Sequence, residues 1–126
     1  MYGGGDAGIP NLVPSNLVIR HNLISKPLAW MAKNWTVKNL VEFKNAENVL
    51  VEGNTIENNW AAGQAGYSIL FTPRNQSGGA PWAVTRNIPI RGNVTRHVAA
   101  VFNLSGWAAI NTPRQTGKQP DRKHSA

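Results

Sequence analysis

One nine-residue block occurs three times and limits the fold more than any other feature. It reads NLVIRHNLI at 16–24, NVLVEGNTI at 48–56 and NIPIRGNVT at 87–95. All three fit N-x-x-(Ile/Val)-x-x-N-x-(Ile/Thr), and their starts are separated by 32 and 39 residues. A period in this range points to a repeat architecture, with loops of different length inserted into a common unit. Within each block, apolar residues alternate: Leu17/Ile19, Val49/Val51 and Ile88/Ile90 share one face, and β-branched types dominate. Further strand-like segments follow at 39–45, 68–75 and 99–103, separated by turn-rich pieces such as WAAGQAG and NQSGGAP. No segment carries a sustained 3.6-residue period with caps. The only helical expectation is a short turn within PLAWMAKN.

The order is strand, Gly/Asn corner, short strand, loop, strand, then the block again. This predicts an all-β fold, a right-handed parallel β-helix of about three coils, with equivalent residues stacked about 4.8 Å apart. Asparagine is a poor strand residue, yet Asn22, Asn54 and Asn93 all fall at one corner. Stacked, each amide can donate to one coil and accept from the other, so the column satisfies itself. The same register stacks Arg20, Glu52 and Arg91, and pairs Glu57 with Arg96, as surface ion columns.

Several long blocks, from GGGDAGIPNLVPSNLVIRHN through WTVKNLVEFKNAENVLVEGNTIENNWAAGQAGYSILFTPRNQSGGAPW to VTRHVAAVFNLSGW, resemble an uncharacterised bacterial group. Its members are right-handed parallel β-helix repeat proteins with a pectin-lyase-like fold, and the resemblance covers roughly residues 3–107. It implies an exported protein, extracellular or in the cell envelope, with more coils on either side. The wider superfamily contains polysaccharide lyases, glycoside hydrolases and members without known activity. The expected organisation is an uncapped β-helix fragment over 1–110 and a disordered basic tail over 111–126. That end departs from the family pattern, as a truncated or frame-altered copy of a longer gene, or an artificial boundary, would. The missing coils of a longer parent are then the expected partners.

The formal charge is +7; the last 16 residues hold four basic side chains against Asp121, and the first 110 hold nine against five acids. Such a balance can attract acidic polymers, but a solvated surface with a basic tail is the simpler reading, and nucleic acid is not the expected partner. No apolar run approaches the roughly 20 residues of a membrane span. The first 16 residues lack the basic start and apolar region of a signal peptide. There is no cysteine, hence no disulfide or thiolate site.

Hydrolysis on this fold needs paired carboxylates. The only aspartates, Asp6 and Asp121, lie near the ends, and the glutamates are scattered among bases. A lyase needs a basic residue to take the C5 proton of a uronic acid; Lys44, Arg74, Arg96 and His97 are the candidates, with Lys44 and Arg74 at equivalent places before Asn45 and Asn75. The competing reading is a set of solvated cations. Three histidines without ligand spacing predict no metal site, and no cofactor is expected. Gly3 to Gly8 matches G-x-G-x-x-G by letter only, since no strand precedes it and Ile9-Pro10 follows. Trp60 and Tyr67 could stack on a sugar while Gln64 bonds a hydroxyl, or the rings could pack on the coil wall. Of the sequons at Asn34, Asn75, Asn93 and Asn103, the third falls on a buried ladder residue, and none is expected to act as a glycosylation site in a bacterial protein. Two functional expectations result: a carbohydrate-binding or polysaccharide-active surface, or a non-catalytic scaffold or remnant. A third is salt-sensitive binding of acidic polymers by the tail.

Overall fold

The computed structural model describes residues 7–75 and 77–105. The Gly-rich start, Trp107 and the basic tail with Asp121 and His124 therefore lie outside the described residues, apart from the end of the Gly-rich stretch. Ten strands are described: β1 (Ser15–Arg20), β2 (Leu23–Ser25), β3 (Val41–Phe43), β4 (Ala46–Glu52), β5 (Thr55–Asn59), β6 (Tyr67–Phe71), β7 (Thr85–Arg86), β8 (Ile90–Arg91), β9 (Val94–Val98) and β10 (Ala100–Leu104). A single 3-10 turn, Leu28–Ala32, lies in the first long insert.

Every strand pairing is parallel, and the pairings form three sheets: β1-β4-β7 with β8 also on β4, β2-β5-β9, and β10-β6-β3. The chain thus visits the three sheets in the same order three times. We call β1–β3 the first circuit, β4–β6 the second and β7–β10 the third. This all-β arrangement is compatible with a β-helix-like fold.

The register follows the nine-residue blocks. Ile19 pairs with Val51 and Val51 with Ile90; Ile24 pairs with Ile56 and Ile56 with Thr95. On the third sheet Val41, Ile69 and Phe102 form a column, and Phe43, Phe71 and Leu104 another. Each column points inward because side chains alternate along a strand, so a period-2 sequence stacked in parallel makes a continuous apolar interior. Val49, Val51, Ile56 and Ile69 are its most deeply buried members. Phe43 and Phe71 stack face to face, with ring centroids 5.4 Å apart.

Corners need left-handed backbone. Asn16, Asn48 and Asn87, which open the three blocks, have φ of 58°, 53° and 50°. Asparagine accepts this region better than most residues. Gly53 and Gly92 occupy the next corner at φ 62° and 61°, and in the first circuit His21 takes that place at 56°. A Cβ on Gly53 would lie 2.8 Å from the His21 ring, so His21 caps this corner only because its neighbour is glycine.

The third circuit is less regular. Its first sheet is split into β7 and β8 by Asn87–Pro89. Val49 and Val51 N–H donate to the Asn87 and Pro89 carbonyls at 3.1 and 3.0 Å. Residues 87 and 89 therefore face the second circuit, and proline withholds its missing donor from that side alone.

A corner asparagine file and a polar network as candidate functional site

At the corner of His21, Gly53 and Gly92 the Asn54 Oδ1 accepts both the backbone N–H and the amide of Asn22, each at 3.0 Å. One circuit further, the Asn93 Oδ1 accepts the backbone N–H and the amide of Asn54, each at 2.9 Å. The second amide hydrogen of Asn54 goes back to the Ile19 carbonyl at 2.9 Å. A fully buried amide is tolerated here because each of its atoms has a partner. Two of the block-opening asparagines also bond to each other: Asn87 donates to the Asn48 Oδ1 at 2.5 Å. The signal for this contact was the first letter of each block.

Three arginines of the third circuit pair with three glutamates of the second. Arg86–Glu47, Arg91–Glu52 and Arg96–Glu57 approach to 2.6, 2.7 and 2.6 Å. Arg20 is in register with Glu52 on the other side.

A polar network occupies the corner between the second and third sheets. Asn39, just before β3, donates to Glu42 Oε1 at 2.5 Å and to Gln64 Oε1 at 2.7 Å, and its Oδ1 accepts the Tyr67 N–H at 3.1 Å. Lys44 holds Glu42 Oε2 at 3.0 Å. Lys26 donates to the Lys38 carbonyl and, at 2.6 Å, to Asn59 Oδ1, while the Asn59 amide donates to the Tyr67 carbonyl at 3.0 Å. Burial pushes the Glu42 carboxyl up, but hydrogen bonds from Asn39 and Lys44 and the charges of Lys44 and Lys38 outweigh it and hold the group below its ordinary value. Desolvation lowers the Lys26 ammonium, partly offset by the Glu42 charge. A carboxylate held ionised and engaged on both oxygens is a poor proton donor.

The sequence candidates divide between places. The Arg74 N–H donates to the Lys44 carbonyl at 2.9 Å, so these two stand in adjacent circuits beside the third sheet. Arg96 and His97 are in β9 on the second sheet, with Arg96 on Glu57 and His97 at a left-handed corner, φ 52°. Gln64 and Tyr67 meet at Asn39. Trp60 is half-buried in the same loop, closed so tightly that a Cβ on Gly66 would lie 2.5 Å from the Trp60 carbonyl carbon. Lys26, Asn39, Glu42 and Asn59 escaped the sequence reading because no common offset links them. An exposed aromatic pair also emerges: Trp30 and Trp35 meet edge to face at 5.4 Å.

Among the described residues, no group of three or more His, Cys, Asp or Glu could hold a metal ion, and no helix is long and apolar enough to cross a membrane. No protein-family model, no curated protein and no solved structure matches this chain.

Proposed function

We propose that the chain is a piece of right-handed parallel β-helix, of the pectin-lyase-like type, serving as a non-catalytic scaffold in an exported protein. Three features support the β-helix reading: the repeated visit to three parallel sheets, the inward columns and the asparagine file. The scaffold reading rests on one observation. The only carboxylate in the polar network, Glu42, has both oxygens occupied by Asn39 and Lys44. Of the basic candidates only Lys44 reaches it, as an ion-pair partner, while Arg96 is engaged with Glu57 on the second sheet. Incubation with pectin, alginate and neutral glycans tests this reading, with neither unsaturated nor reducing-end products expected. Product formation that disappears in a Lys44→Ala or Arg96→Ala variant would overturn it.

A second reading is favoured by the Trp30–Trp35 pair, whose exposed rings present a face on which a sugar could stack. Glycan binding that survives high salt and is lost in Trp35→Ala supports this reading. Binding abolished by salt and by removal of residues 111–126 points instead to non-specific attraction of acidic polymers.

A further inference from the structure

We infer that the edge of the third circuit, unpaired among the described residues, receives an acidic strand–corner–strand segment, which pairs as the next circuit. This rests on the scaffold reading and names the partner's chemistry.

The backbone comes first. Because residues 87, 89 and 91 give their carbonyls to the second circuit, alternation turns the N–H and C=O groups of Ile88 and Ile90 to the open side. Pro89 therefore does not block that edge. Exposed edges are usually blunted by proline, bulges or charges; here the proline faces the wrong way to do so.

The asparagine file ends on the same edge. The Asn93 backbone N–H has no partner among the described residues. One amide hydrogen of Asn93 goes to the Val51 carbonyl, and the other folds back to Arg91 O at 3.1 Å. In Asn54 the equivalent hydrogen reaches the next asparagine's oxygen. An incoming corner asparagine would accept both groups.

Behind the edge lies a cavity of about 410 Å³, walled by Ile88, Ile90, Phe102 and Leu104 with Phe71 at its side. Inward apolar residues of an added circuit would fill it, as Ile69 fills the column beneath Phe102.

Charge selects the occupant. Arg86, Arg91 and Arg96 lie five residues apart, each paired inward with Glu47, Glu52 or Glu57 at the same spacing. Their side chains remain 69%, 66% and 58% exposed. A guanidinium has five donors, enough to serve carboxylates on both sides. A second copy docking head to tail would instead offer Ser15, Arg20 and Ser25 at these columns, setting Arg20 against Arg91. The chain's own residues 106–126 contain four basic side chains and one acid. Neither supplies the complement. A segment with acids seven and two residues before its corner asparagine and three after it does. Residues 46–59 have this pattern around Asn54.

A synthetic peptide of residues 46–59 is the probe, titrated against the full chain beside versions carrying Gln or Lys at all three glutamate positions. The glutamate peptide is expected to bind, the Gln version about tenfold more weakly if each exposed pair contributes about 0.5 kcal/mol, and the Lys version not measurably. Hydrogen exchange should slow at the Ile88, Ile90 and Asn93 amides. In a triple Arg→Gln variant at 86, 91 and 96 that keeps its β circular dichroism, Glu and Gln peptides should bind alike. Because the peptide series leaves the protein unchanged, it decides the matter even if that variant does not fold. No binding, equal binding of Glu and Lys peptides, protection at β1 and β2 instead, or self-association that the peptide does not compete with overturns the inference. A failed peptide test leaves the glycan-product test of the scaffold reading untouched, so the two failures are distinguishable.

Discussion

The second and third circuits are built from one pattern and differ in what lies against them. At one inward column Ile69 is fully buried, whereas Phe102 in the next circuit is 49% exposed. At the adjoining column Leu104 is 78% exposed above Phe71. At the corner, Asn54 bonds to asparagines on both sides, while among the described residues Asn93 has an asparagine neighbour on one side only. Stability in a stacked repeat comes from each unit's interfaces with its neighbours. The middle circuit has two such interfaces among the described residues. The third has one.

The strongest way to break this comparison is to truncate the same column in both circuits. Ile69→Ala should lower unfolding free energy by about 3 kcal/mol, as cavity-forming core truncations do. Phe102→Ala should lower it by about 1 kcal/mol, because much of the ring is already in water. Equal losses in urea titrations would mean that the third circuit is covered as fully as the second. Next come the asparagines. Asn54→Ala strips partners from the Asn22 amide and the Ile19 carbonyl, a loss of about 3 kcal/mol if these stay dry. Asn93→Ala should lose about as much, because it takes the acceptor from the buried Asn54 amide and N–H and the donor from the Val51 carbonyl, even though water reaches its outer side.

The corner glycines sharpen the comparison at a smaller scale. Both sit at positive φ, so alanine costs about 1 kcal/mol at either from the backbone alone. At Gly53 the new methyl also meets His21, whereas at Gly92 its nearest neighbour is the Gly53 backbone nitrogen, 3.9 Å away. Gly53→Ala should therefore be the worse by melting temperature, and the gap should close in His21→Ala.

The polar network gives a pH signature. The Glu42 carboxyl sits below its ordinary 4.5 in the folded chain. The unfolded chain thus takes up its proton first as pH falls. The stabilisation from Glu42 is complete above 4.5 and is lost as pH drops through the lower folded value. Glu42→Gln should remove that part of the acid dependence in pH-resolved denaturation. The smallest effect belongs to Arg91→Gln, within about 0.5 kcal/mol, because its pair with Glu52 is at the surface.

Much of the architecture was legible in the chain. Alternating apolar residues give the inward face, and the asparagine at a fixed offset gives the register, because a one-residue slip would turn every side chain to the opposite face. That is why the pairings Ile19–Val51–Ile90 and Ile24–Ile56–Thr95 could be read from three aligned blocks. The network of Lys26, Asn39, Glu42, Asn59 and Gln64 could not. Its members belong to inserts and strand ends of unequal length, so no periodicity marks them, and only the path of the loops brings them together.

The sequence by itself determined that like residues lie over like, since local backbone preference and side-chain alternation act within a few residues. Only the tertiary structure decided which member of each column is dry, which carboxylate is consumed by neighbours, and, among the described residues, which edge has no strand beside it. Burial and electrostatics at a site depend on what packs above and below it, and those neighbours are 30 to 40 residues away along the chain.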